Sequence, residues 1–238
     1  MKTNNTKQVA AFDQVLSHCN TLGTKYNPST ESIKIAALTS MLTSAQTLVT
    51  AAENAKLNYV KVVNARHEAF IPISGMATRI LNLMMASNAS PELVADIRRY
   101  RDKLRSPRKI VKPEDSTKTT QPADASRGPI SYMDFDSKAD SFEAIVTLIK
   151  GEAVYKPNEP EFSIANLTTL ANTLRAKNKA VNDARISLRN ARVARNNALY
   201  SEAGLSGAAK RVKKYVLFAC GATSEQYRSF NSITLKSK

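Results

Sequence analysis

The run from Ile164 to Tyr200 contains neither glycine nor proline, and most of its residues are ones that an α-helix accepts readily. Read in heptads, one seam position holds large aliphatic residues and the other holds mainly alanine. A single helix of this length would measure about 55 Å and would need packing partners, because helix propensity alone gives only marginal stability. We predict a long packed helix with Leu167, Leu174, Val181 and Leu188 at one seam position and Leu170, Ala184, Ala191 and Ala198 at the other.

The same plan occurs earlier in the chain, shifted by 129 residues, with no gap needed over about fifty residues. A seam position that should be aliphatic is an arginine in both copies, and a glycine follows each long helix. We interpret this as an internal duplication. The aligned pairs include Tyr26 with Tyr155, Pro28 with Pro157, Ile35 with Ile164, Leu38 with Leu167, Arg66 with Arg195, and Gly75 with Gly204.

The sequence predicts an all-α fold, because almost no run alternates with period two and the chain has few glycines and no tryptophan. Two similar helical-bundle repeats, each built on one long (~35-residue) helix, are expected at residues 1–105 and 130–238. The segment 106–129 is rich in Pro, Ser and Thr and predicts a linker. The apolar residues of 130–140 predict a strip that docks in a groove before the next helix.

Capping and stop residues predict where the helices begin and end. The dipeptide Ser90-Pro91 predicts a capped start, and Thr223 or Ser224 caps the last helix. Gly221 predicts a helix stop. The expected helices cover about 7–22, 32–70, 76–86, 91–105, 141 to the Tyr155 turn, 164–200, 206–219 and a last turn after 224.

The net charge is +15, and it is concentrated in the two predicted repeats. Residues 1–105 carry a net +6, residues 106–140 carry zero, and residues 141–238 carry +9, from Lys and Arg against Asp and Glu. A fixed basic surface of this kind favours an anionic partner, of which nucleic-acid phosphate is the commonest. The candidate polyanion-binding residues are Arg185, Arg189, Arg192, Lys210, Arg211, Lys213 and Lys214.

The repeated seam arginines Arg66 and Arg195 have two interpretations. Each can be structural, with a packed stem and a paired head, or can face a groove and bind an anion. We favour the structural interpretation, because the arginine recurs near the end of the long helix in both copies.

The sequence offers few residues for catalysis or for metal binding. Two cysteines lie far apart, the two histidines lie only in the first half, and no glycine-rich phosphate loop is present. We therefore expect no enzyme activity, no metal, no cofactor and no small-molecule substrate. No apolar run of 18 residues and no secretory signal are visible, so we expect a cytoplasmic protein without a membrane span.

Residues 130–238 resemble a family of helical proteins of the Bacteroidota for which no activity is established. The resemblance rests on the run Arg195-Asn196-Asn197-Ala198-Leu199-Tyr200 and on the Lys-rich helix from Lys210 to Gly221. It implies a helical fold and nothing about chemistry.

Two functions follow from these patterns. The first is sequence-independent binding of nucleic acid or another polyanion, because no base-reading motif accompanies the basic helices. The alternative is a structural or scaffolding protein that acts through helix-mediated protein contacts or self-association. A membrane surface is a weaker partner, because the basic faces adjoin no face rich in Trp or Phe.

Overall fold

The computed structural model describes residues 4–105 and 130–236, and every regular element among them is helical, with no strand. Helix accounts for 82% of the structure, which confirms the all-α class. Short 3₁₀ turns lie at Gly23–Lys25, Glu31–Ile33 and Pro160–Phe162. The α-helices are α1 (Asn4–Thr21), α2 (Ile35–Phe70), α3 (Ile73–Ala86), α4 (Pro91–Leu104), α5 (Ile130–Ile149), α6 (Ile164–Tyr200), α7 (Leu205–Cys220) and α8 (Glu225–Ser232).

The long helix α6 begins and ends where the sequence predicts. All four large aliphatic residues of its first seam position, from Leu167 to Leu188, are buried. At the second seam position Ala184 is buried, whereas Leu170, Ala191 and Ala198 are half-buried. The heptad pattern therefore identifies the packed face of α6.

Two predicted helix caps are confirmed by their hydrogen bonds. The hydroxyl of Ser90 accepts from the backbone N–H of Leu93 at 3.3 Å, and Pro91 is the first residue of α4. The hydroxyl of Ser224 accepts from the N–H of Tyr227 at 3.1 Å. Each cap satisfies one backbone donor that the first helical turn leaves without a partner.

The prediction that this helix begins near residue 141 is wrong, since residues 130–140, predicted as a docking strip, form the first half of α5. The reason is that the helical spacing of apolar residues already begins at Phe135 and continues through Ala139 and Phe142, both of which are buried. The ring of Phe135 packs edge-on against Phe70, with centroids 4.9 Å apart. The predicted linker 106–129 lies outside the described residues.

The described chain divides into two compact units that differ from the predicted domains 1–105 and 130–238. Unit 1 comprises Met1–Val60 and Asp183–Lys238, and unit 2 comprises Lys61–Asn182. The physical reason is the length of α2 and α6, each of which contributes one part to one core and the other part to the second core. Each unit thus combines the front of one predicted repeat with the back of the other.

Each unit has its own hydrophobic core. In unit 1, α1 packs against α7, and residues of α1, α2, α6, α7 and α8 form one buried cluster. In unit 2, α3 and α4 pack against α5, and residues of α2 to α6 form the second cluster. A buried amide adds a polar link in unit 1, where Gln8 donates to the hydroxyl of Ser206 at 2.8 Å.

The turns before the two long helices share one hydrogen bond. The hydroxyl of Tyr26 donates to the backbone carbonyl of Ile33 at 2.6 Å, and that of Tyr155 donates to the carbonyl of Phe162 at 2.8 Å. Both tyrosines are buried, and each bond closes a turn that ends in a 3₁₀ segment. The two donors, Tyr26 and Tyr155, are 129 residues apart, and so are the two acceptors, Ile33 and Phe162. The two long helices therefore begin after equivalent turns.

One helical stretch, Ile35–Ala86, is long and apolar enough by length and composition to cross a membrane, with a mean hydropathy of 1.3 over 18 residues. About a third of that window is buried within the protein. A single stretch of this kind is weak evidence, because core helices of soluble proteins also meet the criterion. The absence of a membrane span therefore stays a prediction.

Candidate functional site

The three arginines predicted on α6 lie together on its exposed face in unit 1. Arg185, Arg189 and Arg192 occupy positions i, i+4 and i+7, while Leu188 between them is buried. The seam pattern that buries Leu188 therefore forces these arginines outward. They line a cavity of about 470 Å³ that α6 shares with α2, whose Lys56, Tyr59 and Val60 form the other wall.

A second cavity, of about 740 Å³, adjoins the first and shares Lys56 and Arg192 with it. It adds Arg195 from α6, and Glu53 and Leu57 from α2. We call the two cavities together the basic groove. Its cationic residues are Lys56, Arg185, Arg189, Arg192 and Arg195, and Glu53 is the one carboxylate in its described lining.

The arginines of the basic groove differ in what already holds them. The guanidinium groups of Arg189 and Arg192 make no hydrogen bond or ion pair with other residues that the structure describes. Arg195 is half-buried and donates from Nε and Nη2 to the side-chain oxygen of Asn196, at 3.1 and 2.8 Å. Arg189 and Arg192 therefore have donors directed to solvent that an anion can accept.

The other predicted basic residues, on α7, line a separate cavity of about 350 Å³ next to α8. Lys210 forms an ion pair with Glu202 at 2.8 Å, and Arg211 donates to the carbonyl of Glu202 at 2.9 Å. The Nζ of Lys213 donates to the carbonyls of Asn231 and Ile233, at 3.3 and 2.5 Å. These three residues hold the turn after α6 and the C-terminal end of α8.

Electrostatics agree with a structural role for much of this α7 cluster. The hydrogen bond from Lys210 holds the pKa of the Glu202 carboxyl below its usual range. Burial lowers the pKa of Lys213. Lys214 is exposed, and its side chain makes no hydrogen bond or ion pair with any residue described in the structure. The structure therefore separates the seven predicted residues into an arginine row that lines the basic groove and a lysine cluster in which Lys210, Arg211 and Lys213 already bind neighbouring residues.

The two repeated arginines have different surroundings. Arg66 is buried, and its guanidinium lies 4.0 Å from the centre of the Phe135 ring, as in a cation–π contact. Arg195 instead reaches the basic groove. The packing of Arg66 agrees with the structural interpretation, whereas Arg195 lies where the anion-binding interpretation would need it.

Unit 2 has a cavity of different character, with a volume of about 390 Å³. Arg175 donates there to Glu143 and pairs with Asp140 at 2.9 Å, and the pKa of Arg175 is raised by these carboxylates. Arg99 and Asp96 line the same cavity and form their own ion pair at 3.4 Å. Both of its arginines are therefore paired with acids.

The cysteines and histidines are not arranged as a reactive site. Cys19 is buried, and burial raises the pKa of its thiol to about 11. His18 packs against Phe230, with ring centroids 5.4 Å apart. Within residues 4–105 and 130–236, no group of three or more His, Cys, Asp or Glu side chains is placed to hold a metal ion.

Sequence reasoning missed the α2 wall of the basic groove. The heptad spacing that places Arg66 on the seam of α2 also places Tyr59 there, seven residues earlier, but Tyr59 is half-buried and lines the first cavity. Lys56 is one lysine in a long stretch with little charge, so no charge pattern marks it. Its position opposite Arg189 and Arg192 depends on how α2 packs on α6, which helical periodicity alone does not predict.

Comparisons with known proteins found no match among family models, curated proteins or solved structures. The resemblance to a helical family of the Bacteroidota therefore stays a prediction.

Proposed function

We propose that this protein is a non-enzymatic binding protein that holds polyanions, nucleic-acid phosphates above all, in the basic groove of unit 1. The observation that carries the proposal is the lining of that groove, in which five cationic side chains from two helices face one carboxylate. Arginine donors are well suited to phosphate oxygens, because the planar guanidinium presents several N–H groups in a fixed geometry.

The distribution of charge supports unit 1 as the binding unit. Its residues include 16 Lys or Arg against 6 Asp or Glu, a net +10 of the total +15. An excess of this size attracts a charged polymer over a distance of about 10 Å at moderate salt. Unit 2 carries the remaining +5, and its described cavity is lined by three carboxylates and two arginines.

Binding of this kind would depend on the phosphate backbone and not on base sequence. The cations lie along the sides of α2 and α6, and every described residue that lines the groove is helical, so no described loop is placed there to read base edges. Affinity should then be similar for unrelated sequences and should fall steeply with salt.

The test compares the wild-type protein with a variant that changes Arg185, Arg189 and Arg192 to Gln. Gln keeps the helix propensity and removes only charge. On duplex DNA the slope of log affinity against log salt should become shallower by about 2 to 3, since each neutralised phosphate contributes about 0.9. Fluorescence anisotropy from about 50 to 200 mM salt measures this.

A matched control removes the same number of charges elsewhere. Lys150, Lys156 and Arg228 are exposed, and their side chains make no hydrogen bond or ion pair with other described residues. Their joint change to Gln should leave the slope within experimental error of the wild type. Equal losses in both variants would mean that net charge and not the groove causes binding, and absence of binding at low salt would overturn the proposal.

A second candidate function is scaffolding through protein contacts, and exposed apolar residues favour it. Phe218 on α7 is 85% exposed, and Leu217 beside it is also exposed. Large apolar side chains in contact with water often mark interaction surfaces. If the protein self-associates through Phe218, light scattering should detect an oligomer in the wild type that is lost in the variant Phe218→Ser.

We further propose that the chain arose by the duplication of one helical repeat. The equivalent tyrosine hydrogen bonds support this, and so do the first residues of α2 and α6, Ile35 and Ile164, which are aligned in the two copies. The buried residues support it too, because the core positions Phe12, Val15, Leu16 and Cys19 of α1 have the same spacing as Phe142, Ile145, Val146 and Ile149 of α5.

A further inference from the structure

The lining of the basic groove is not purely polar, and this limits which polyanion fits it. Val60 and Val193 are 47% and 52% exposed and line the first cavity, and Leu57 is 68% exposed and lines the second. Tyr59 lines the first cavity as well. Apolar side chains therefore lie between the cations, where a ligand of phosphates alone would leave them in contact with water or with charge.

We infer that the basic groove takes single-stranded nucleic acid in preference to duplex. This rests on the proposed function and names its ligand class. A duplex presents sugar and phosphate on its outside and hides the faces of its bases, so only the cations would gain from it. A single strand presents phosphates and base faces together, and such strands are held by cations beside aromatic and apolar side chains.

The spacing of the arginines fits a strand that follows α6. Along the helix axis Arg185 lies about 6 Å from Arg189 and about 10.5 Å from Arg192, at 1.5 Å per residue. The full arginine row from Arg185 to Arg195 covers about 15 Å, which corresponds to about four or five nucleotides at roughly 3.4 Å each. This lies at the short end of the site sizes known for single-strand binding proteins.

The kinds of cation also favour bases over an acidic peptide. Four of the five cationic residues are arginines, whose planar guanidinium groups stack on base faces as well as pairing with phosphates. The amide of Asn196 lines the first cavity and can donate to a base edge. An acidic peptide would use the charges but would gain nothing from the planar faces.

The experiment measures three labelled ligands at the same salt: a 12-nucleotide oligothymidine strand, a 12-base-pair duplex and a 12-residue poly-glutamate peptide. The single strand should bind about tenfold more tightly than the duplex or the peptide, which corresponds to about 1.4 kcal/mol, because only the single strand offers base faces to the exposed apolar side chains of the groove. The double variant Val60→Ser, Val193→Ser should lose most of this preference and keep its duplex affinity within about twofold.

The control changes exposed apolar residues away from the groove, Ile71→Ser and Met85→Ser, and should keep the wild-type preference. If the duplex binds as tightly as the strand, the inference is overturned while polyanion binding stands. If poly-glutamate matches the strand, the groove recognises charge alone and the inference also fails. If none of the ligands binds at low salt, the proposed function itself is overturned.

Discussion

Cleavage between the two predicted repeats should leave the protein assembled, because each core draws on both halves of the chain. A protease site inserted between Thr119 and Thr120 allows the full chain to be cut after folding. In unit 1 the core combines α1 and the front of α2 with α7 and α8, and in unit 2 it combines α3 and α4 with α5 and the front of α6. Separation of the fragments would open both cores.

The magnitude follows from the residues that separation would expose. In unit 1 the second half contributes Leu205, Val212 and Val216, all essentially fully buried. In unit 2 the first half contributes Ile80 and Ile97, both fully buried, and other residues of α3 and α4. At about 1.5–3 kcal/mol for each large apolar side chain, these five alone represent roughly 8–15 kcal/mol.

The free energy of this burial is at least as large as the binding free energy needed to hold the fragments together. A dissociation constant of 1 μM corresponds to about 8 kcal/mol, and the rest of both cores offsets the entropy lost on association. The cut protein should therefore elute as one species at micromolar concentration with an unchanged circular dichroism spectrum. Two separate species that each keep their helix content would refute the shared cores and support independent domains at 1–105 and 130–238.

Three other perturbations test the packing. Tyr26→Phe and Tyr155→Phe should each lower the free energy of unfolding by about 1–2 kcal/mol, because each leaves a buried carbonyl without its donor. Urea titrations measure this, and a loss of stability in only one of the two variants would contradict equivalent turns. Gly204→Ala should destabilise the protein, because the added Cβ would lie 2.4 Å from the backbone oxygen of residue 198. Gly75 lies on α3 with open space around the position of a Cβ, so Gly75→Ala should stabilise the protein by about 0.5–1 kcal/mol. Burial raises the pKa of the Cys19 thiol from 9.0 to about 11, so its contribution to stability is complete below pH 9 and declines as pH rises toward 11. Melting temperatures above pH 9 should accordingly fall less in Cys19→Ala than in the wild type.

Local features of the helices follow closely from the sequence. The bounds of α6 need only the absence of helix breakers and the heptad spacing, and both act within a few residues of each position. The caps at Ser90 and Ser224 are equally local, because a short polar side chain satisfies the nearest backbone donor. These predictions succeed because the competing interactions are few.

Features that depend on contacts between residues far apart in the chain cannot be predicted from the sequence in this way. Helical periodicity shows that α2 and α6 each have a packed face, but it does not show that their two ends belong to different cores. For the same reason the sequence marks Lys213 as basic but does not show that its ammonium group donates to carbonyls at the end of α8. Charge shows which side chains are basic, and only tertiary packing shows which of them already have partners.

The location of bound nucleic acid tests the central claim most directly. A single strand that carries photoreactive 4-thiothymidine can be cross-linked to the full-length protein, and the attached peptides identified by mass spectrometry. The account predicts cross-links to residues 52–60 of α2 and 185–196 of α6, reduced when Arg185, Arg189 and Arg192 are changed to Gln. Cross-links confined to α7, to α4 or to the rest of unit 2 would contradict it.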